Sequence, residues 1–116
     1  MSTNALIAYK NDNGNYNVNS IHYDGYIKDG VGQSLVENWT SFENIKSLCN
    51  GAEIRCLGET LKDTEVFSNW SMRHRKNLTF DELCNAAGNY DYTYIYENGI
   101  WRWLEHYEDA LTKFLD

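Results

Sequence analysis

A chain of 116 residues has room for one hydrophobic core and for no second domain. Its composition is globular, 42% hydrophobic and 23% charged, with a high 15% of aromatic residues and no proline. The net charge of −7 argues against a general nucleic-acid binder, which needs Lys and Arg to displace phosphate counterions, and fits a dispersed protein or one that docks on a basic surface.

The first segment, ALIAYKNDNGNYNVNSIHY, reads as a β-hairpin, with Asn13-Gly14 as a type I′ turn signal. A two-residue loop there pairs Tyr9 with Val18 and Ile7 with Ser20. It places Ile7, Tyr9, Tyr16 and Val18 on one face and Leu6, Ala8 and Ile21 on the other. Neither face is polar, so the hairpin is expected inside a sheet covered on more than one side.

Next, GVGQSLVENW carries Val31, Leu35 and Trp39 at helical spacing. Thr40 to Glu43 is a capping-box sequence, followed by an apolar stripe of Phe42, Ile45 and Cys49 and a stop at Asn50-Gly51. AEIRCLGE reads as a short strand or turn, and DTEVFSNWSMRHR as partly extended. A second capping box, Thr79 to Glu82, opens a helix that ends at Gly88.

The clearest local signal is DYTYIYENGIWRWLEH, a hairpin about Asn98-Gly99. It sets Tyr96 opposite Trp101, Tyr94 opposite Trp103, and Tyr92 opposite Glu105. The resulting aromatic face is expected to be core, with a stacking platform or a partner surface as the competing reading. Its candidates are Tyr92, Tyr94, Tyr96, Trp101 and Trp103. The closing EHYEDALTKFLD gives an amphipathic helix. Together these elements predict an α+β fold, an antiparallel sheet of about four strands, made of two hairpins, packed with about three helices.

Three cysteines, Cys49, Cys56 and Cys84, form no Cys-x-x-Cys pair, so neither a zinc knuckle nor a redox motif is signalled. Reduced thiols of a cytoplasmic protein are the simplest reading. The polar start MSTNALIAYKN is unlike a signal peptide, and no apolar run reaches membrane-spanning length. The Asn-x-Ser/Thr triplets at Asn38, Asn69 and Asn77 are then chance in an Asn-rich chain. No cofactor, metal site or membrane partner is indicated.

Two short stretches concentrate chemistry. In HYDGY, His22 and Asp24 are two apart and share a side of an extended strand, with Tyr26 continuing it. A carboxylate beside a histidine can orient it as a base or a metal ligand. The competing reading, favoured about two to one because Asp-Gly is so common in turns, is a hydrogen-bonded corner. In MRHRK, Arg73, His74, Arg75 and Lys76 form the one basic cluster of the chain, its arginines suited to clamping an anion but equally to pairing with its many carboxylates. No serine sits in a nucleophile elbow, and Gly30-Val31-Gly32 lacks the spacing and Lys of a phosphate loop.

The ordered series ALIAY, HYDGY with GVGQSL, EIRCLGE, RHR and NGIW resembles a group of small proteins associated with bacteriophages, prophages and mobile elements. That group's pattern runs Ala-Leu-Ile, His-x-Asp-Gly-Tyr-Pro, Gly-Asp-x-x-x-Leu-Gly, Arg-Asp-Arg and Gly-x-Trp. The resemblance places His22, Asp24, Gly25 and Tyr26 on one motif and Glu53, Leu57 and Gly58 on the next. Arg73 and Arg75 fall on a third, and Gly99 and Trp101 on the last. Ile27 stands in place of Pro, Glu53 in place of Asp, and His74 in place of the Asp between the arginines.

The resemblance implies a non-catalytic protein of the bacterial host cytoplasm. It would bind and inhibit a host protein or complex, such as a defence or nucleic-acid-handling system. Two other readings stand beside it. One is a small ligand-binding or phosphate-ester-processing domain in which His22 and Asp24 work with Arg73 and Arg75. The other is a DNA mimic. A homodimer is compatible with all three.

Overall fold

The computed structural model, which describes residues 3–67 and 74–115, holds one six-stranded mixed sheet with helices on both faces. The strands are β1 (Ala5–Lys10), β2 (Tyr16–Ile21), β3 (Ile54–Cys56), β4 (Glu65–Val66), β5 (Tyr92–Glu97) and β6 (Ile100–Trp103). The helices are α1 (Val31–Asn38), α2 (Phe42–Asn50) and α3 (Phe80–Ala87). The spatial order is β4-β3-β2-β1-β5-β6.

The α+β class is as expected, but the sheet is larger than four strands and is not purely antiparallel. β2 pairs with β3, and β1 with β5, in parallel. Parallel neighbours need a crossover, and α1 with α2 supplies the one from β2 to β3. α1 and α2 cover the face that carries Ala5, Ile7, Tyr9 and Ile21; α3 covers the face of Leu6, Ala8 and Val18. This explains why both faces of the first hairpin are apolar: every residue from Ala5 to Tyr9 is buried.

The register of the first hairpin differs from expectation by one residue. The ladder closes at Lys10↔Tyr16, leaving residues 11–15 as the loop. The Asn11 side-chain oxygen accepts the amides of Asn13 at 3.0 Å and Asn15 at 3.1 Å, and of the Asn-Gly pair Gly14 alone takes a positive φ, +78°. A one-residue slip moves every side chain to the other face. Tyr9 therefore lies opposite Asn17, and Ile7 opposite Asn19, while Tyr16 and Val18 join the α3 side.

The two displaced asparagines become structural. Asn19 is fully buried; its amide donates to the Leu48 carbonyl at 3.0 Å and the Ala52 carbonyl at 2.8 Å, tying the end of α2 to β2. Asn17 donates to the Tyr9 hydroxyl at 2.8 Å.

The second hairpin forms as read. Asn98 and Gly99 both have positive φ, 52° and 78°, and Tyr94↔Trp103 and Tyr96↔Trp101 are paired. The Tyr92–Glu105 pair does not form, because β6 ends at Trp103 and the chain enters a 3₁₀ turn, Leu104–His106. The aromatic face is largely core. Tyr94 and Trp101 are buried, and Tyr92, Tyr96 and Trp103 are partly covered, so a continuous aromatic platform is not displayed. The Trp101 indole donates to the Trp39 carbonyl at 2.8 Å, locking β6 to the end of α1.

Of three smaller expectations, two shift and one holds. The cap of α2 is Ser41 rather than Thr40, its side chain accepting the Asn44 amide. The Thr79–Glu82 capping box of α3 is formed in both directions. The C-terminal segment is two 3₁₀ turns, Leu104–His106 and Leu111–Phe114, in place of one helix. Leu104 and Tyr107 pack on the α3 side of the sheet while Leu111 and Phe114 pack on the α1 side, a division one straight helix cannot serve.

In the segment read as partly extended, β4 is a short edge strand, and residues 68–73, including Arg73, lie outside the described residues. Residues 75–78 then run along the open edge of β2, with Val18 N–H donating to the Arg75 carbonyl at 2.7 Å and Tyr16 N–H to the Leu78 carbonyl at 2.8 Å. Among the described residues no helix is long and apolar enough to cross a membrane.

Candidate functional site

The corner between β2 and α1 gathers the side chains of interest. The His22 and Tyr23 amides still donate to the Ile54 and Arg55 carbonyls, continuing the sheet. Asp24 then takes φ 60° and the strand ends. Gly25 follows because a Cβ there would sit 2.6 Å from the Asn4 carbonyl oxygen. Its amide donates to the Thr3 carbonyl at 2.9 Å, and its own carbonyl accepts the buried Tyr94 hydroxyl at 2.6 Å. Asp29 is a second left-handed aspartate, φ 61°, and its amide donates to the Gln33 side chain at 2.9 Å. The carbonyls of Asp24, Tyr26 and Ile27 accept the first amides of α1, so the corner itself caps that helix.

This geometry separates His22 from Asp24. The expected shared side requires extended backbone through Asp24, and the left-handed turn removes it. His22 lines a cavity of about 220 Å³ with Ser20, Glu53 and Tyr90. Asp24 lines a different groove with Tyr23 and Asp29. The two do not form an acid–base pair.

What His22 meets instead is Glu53. Its Nε2 lies 3.9 Å from Glu53 Oε2, and its ring packs edge-on to Phe67. Glu53 is buried, and its other oxygen accepts the Ser20 hydroxyl at 3.0 Å. Tyr90 closes the cluster; burial and the Glu53 charge push its hydroxyl up, opposed by a hydrogen bond with Ser20.

Arg75, which feels Glu53 electrostatically, is directed onto backbone. Its Nε donates to the Val18 carbonyl at 3.2 Å and its Nη2 to the Cys49 carbonyl at 2.6 Å, placing a cation on the last turn of α2. Burial pulls its guanidinium below the usual range. His22 meets Glu53, whereas Arg75 is spent on the Val18 and Cys49 carbonyls and serves as a brace, not as an anion clamp. His74 is exposed with φ 53° and has left the cluster. Cys49 is buried and its thiol is pushed up, the state of an unreactive side chain.

Two concave surfaces flank the corner. On one side the groove of Asp24 runs on into a second hollow through Asp29, Gly30, Ser34 and Leu57. Asp24, Asp29, Glu37 and Glu59 line it, and among the described residues no basic side chain does. Tyr23 stands exposed at its edge, under the Arg55 guanidinium at 5.4 Å. On the other side, a cleft of about 500 Å³ is lined by Tyr26, Tyr92, Trp103, Asp91 and Glu105 with Thr3 and Ile27.

Sequence reasoning located the corner but missed Ser20, Glu53 as the partner of His22, and the carboxylates Asp91 and Glu105.

One grouping among the described residues, His106, Glu108 and Asp109, brings potential metal-ligand atoms within 4.8 Å of one another. Local structure accounts for two of them: Asp109 pairs with Lys113 at 3.2 Å, and His106 packs on Trp103 and Phe114. Comparison with family models, curated proteins and solved structures finds no match to this chain.

Proposed function

We propose that this chain is a non-catalytic binding protein of a phage or mobile element that occupies a basic surface on a host protein or complex in the bacterial cytoplasm. The observation that carries the reading is the corner. It presents two exposed aspartates in left-handed backbone, lining a groove of four carboxylates, with Tyr23 and Tyr26 exposed on either side. Left-handed backbone at non-glycine residues is unfavourable and persists where surrounding bonds hold it, as at preformed interaction sites.

The remaining chemistry fits a binder. Tyr94 and Trp101 of the aromatic sheet face are used internally, His22 and Asp24 are apart, and Arg75 is engaged by carbonyls. Acidic complementarity to a basic patch speeds encounter, and tyrosines supply contact area at small entropic cost. The motif resemblance supports the phage setting and, with it, inhibition of a defence or nucleic-acid-handling system by occupancy.

The test is native mass spectrometry of the tagged chain drawn from a bacterial lysate, beside an Asp29→Lys, Glu59→Lys variant. The expected result is a stoichiometric host protein on the wild type, released by added salt and absent from the variant. Capture indifferent to both salt and charge reversal overturns the reading. Release of the captured protein by duplex DNA identifies the mode as DNA mimicry.

A further inference from the structure

We infer that the cleft between the corner and the β5–β6 hairpin receives an arginine side chain of the protein partner, an inference that rests on the reading of the chain as a binder of a basic surface. The cleft has aromatic walls from two independent parts of the fold. Tyr26 comes from the corner and is 46% exposed; Tyr92 and Trp103 come from β5 and β6, with ring centroids 6.1 Å apart. Two carboxylates complete it, Asp91 ahead of β5 and Glu105 after β6, and no Lys, Arg or His among the described residues lines it. Asp91 is fixed by the Asn4 amide, which donates to Oδ2 at 3.1 Å, while Glu105 is exposed.

Aromatic rings with carboxylates at the rim select a cation. The three cationic chemistries differ in what they need. A quaternary ammonium has no N–H to give the carboxylates and is held by a closed cage of rings, whereas this cleft is open. A lysine ammonium is a strongly hydrated point charge that gains little from ring faces. A guanidinium is planar and weakly hydrated, stacks on aromatic faces and pairs with carboxylates in a bidentate fork. A cleft of about 500 Å³ accommodates the whole arginine side chain. The Trp103 indole N–H is buried with no hydrogen-bond partner among the described residues; as a donor it takes no part in holding a cation, but its resonance reports on the cleft.

The test is a ¹H–¹⁵N correlation titration of the full chain with Nα-acetyl-arginine methylamide, in parallel with the lysine analogue and tetramethylammonium. The expected result is saturable shifts for the arginine probe at Tyr26, Asp91, Tyr92, Glu105 and the Trp103 indole, with the other two probes weaker. Tyr26→Ala and Glu105→Gln, both at exposed positions, each weaken the arginine probe about two- to fivefold with the rest of the spectrum unchanged. No saturable shift at these residues, equal response to all three probes, or unaltered binding in both variants overturns the inference. Partner capture without probe binding removes this inference and leaves the proposed function standing; probe binding without any partner does the reverse.

Discussion

The Tyr94 hydroxyl donates to the Gly25 carbonyl at 2.6 Å, joining the centre of β5 to the corner that precedes α1. Both groups are buried, and no water is needed to satisfy either. The bond sets where the corner sits against the sheet, and through it the positions of Tyr26 and Ile27 over the neighbouring cleft. Tyr94→Phe keeps the ring and removes the donor. The buried carbonyl is then unsatisfied, and the expected loss is about 1–3 kcal/mol in urea unfolding with an unchanged denaturant slope.

The same residue makes stability sensitive to alkali. Burial, with a smaller contribution from Tyr92, raises the Tyr94 hydroxyl well above its ordinary value of 10.0. In the unfolded chain it ionises near that value, while in the folded chain it stays neutral. Its contribution is therefore complete below pH 10.0 and is lost as pH rises toward the folded value. The expected slope is about 1.4 kcal/mol per pH unit from this group. Tyr16 and Tyr90, also raised, act in the same direction. Unfolding free energies measured across the alkaline range should fall less steeply for Tyr94→Phe than for the wild type.

Asn19 tests the unexpected register of the first hairpin. Its side chain satisfies the carbonyls of Leu48 and Ala52 and accepts the Ser20 amide at 2.9 Å, the bonds to Leu48 and Ser20 in the interior and that to Ala52 partly buried. Asn19→Ala strands these groups, and the expected loss is about 3 kcal/mol. Hydrogen exchange should quicken first at the end of α2. In the register that a two-residue turn implies, Asn19 would face the other way and the substitution would leave α2 unaffected.

The two hairpins show how far the sequence could be read. Both carry Asn-Gly, and the second obeys it because Asn98 and Gly99 both accept left-handed backbone. In the first, the Asn11 side chain captures two loop amides and makes a longer loop more favourable. That competition depends on a residue outside the turn signal, so the dipeptide alone misplaced the register. β3 and β4 are too short to carry a period, and the parallel joins depend on which elements meet in space, so sheet order was not legible. For the site, Asp24-Gly25 announced a corner correctly. Glu53, Asp91 and Glu105 reach it from other elements, and no local spacing announces them.

Asp24 separates a structural role for the corner from a binding role. Its φ of 60° is a conformation that glycine adopts freely and that disfavours a side chain by about 1 kcal/mol. Its carboxylate is exposed in the groove, and its backbone carbonyl, which accepts the Val31 amide at 2.7 Å, is untouched by substitution. Asp24→Gly relieves the left-handed penalty but gives the unfolded chain more freedom, and the two effects offset to within about 0.5 kcal/mol. A residue kept only for the fold would thus be dispensable here, and one kept for contact would not. The expected outcome is a melting temperature close to that of the wild type together with weaker capture of the basic partner and a shallower salt dependence. Undiminished capture by a fully folded Asp24→Gly chain would assign the groove to shape alone and move the search for the contact surface to the cleft of Tyr26 and Glu105.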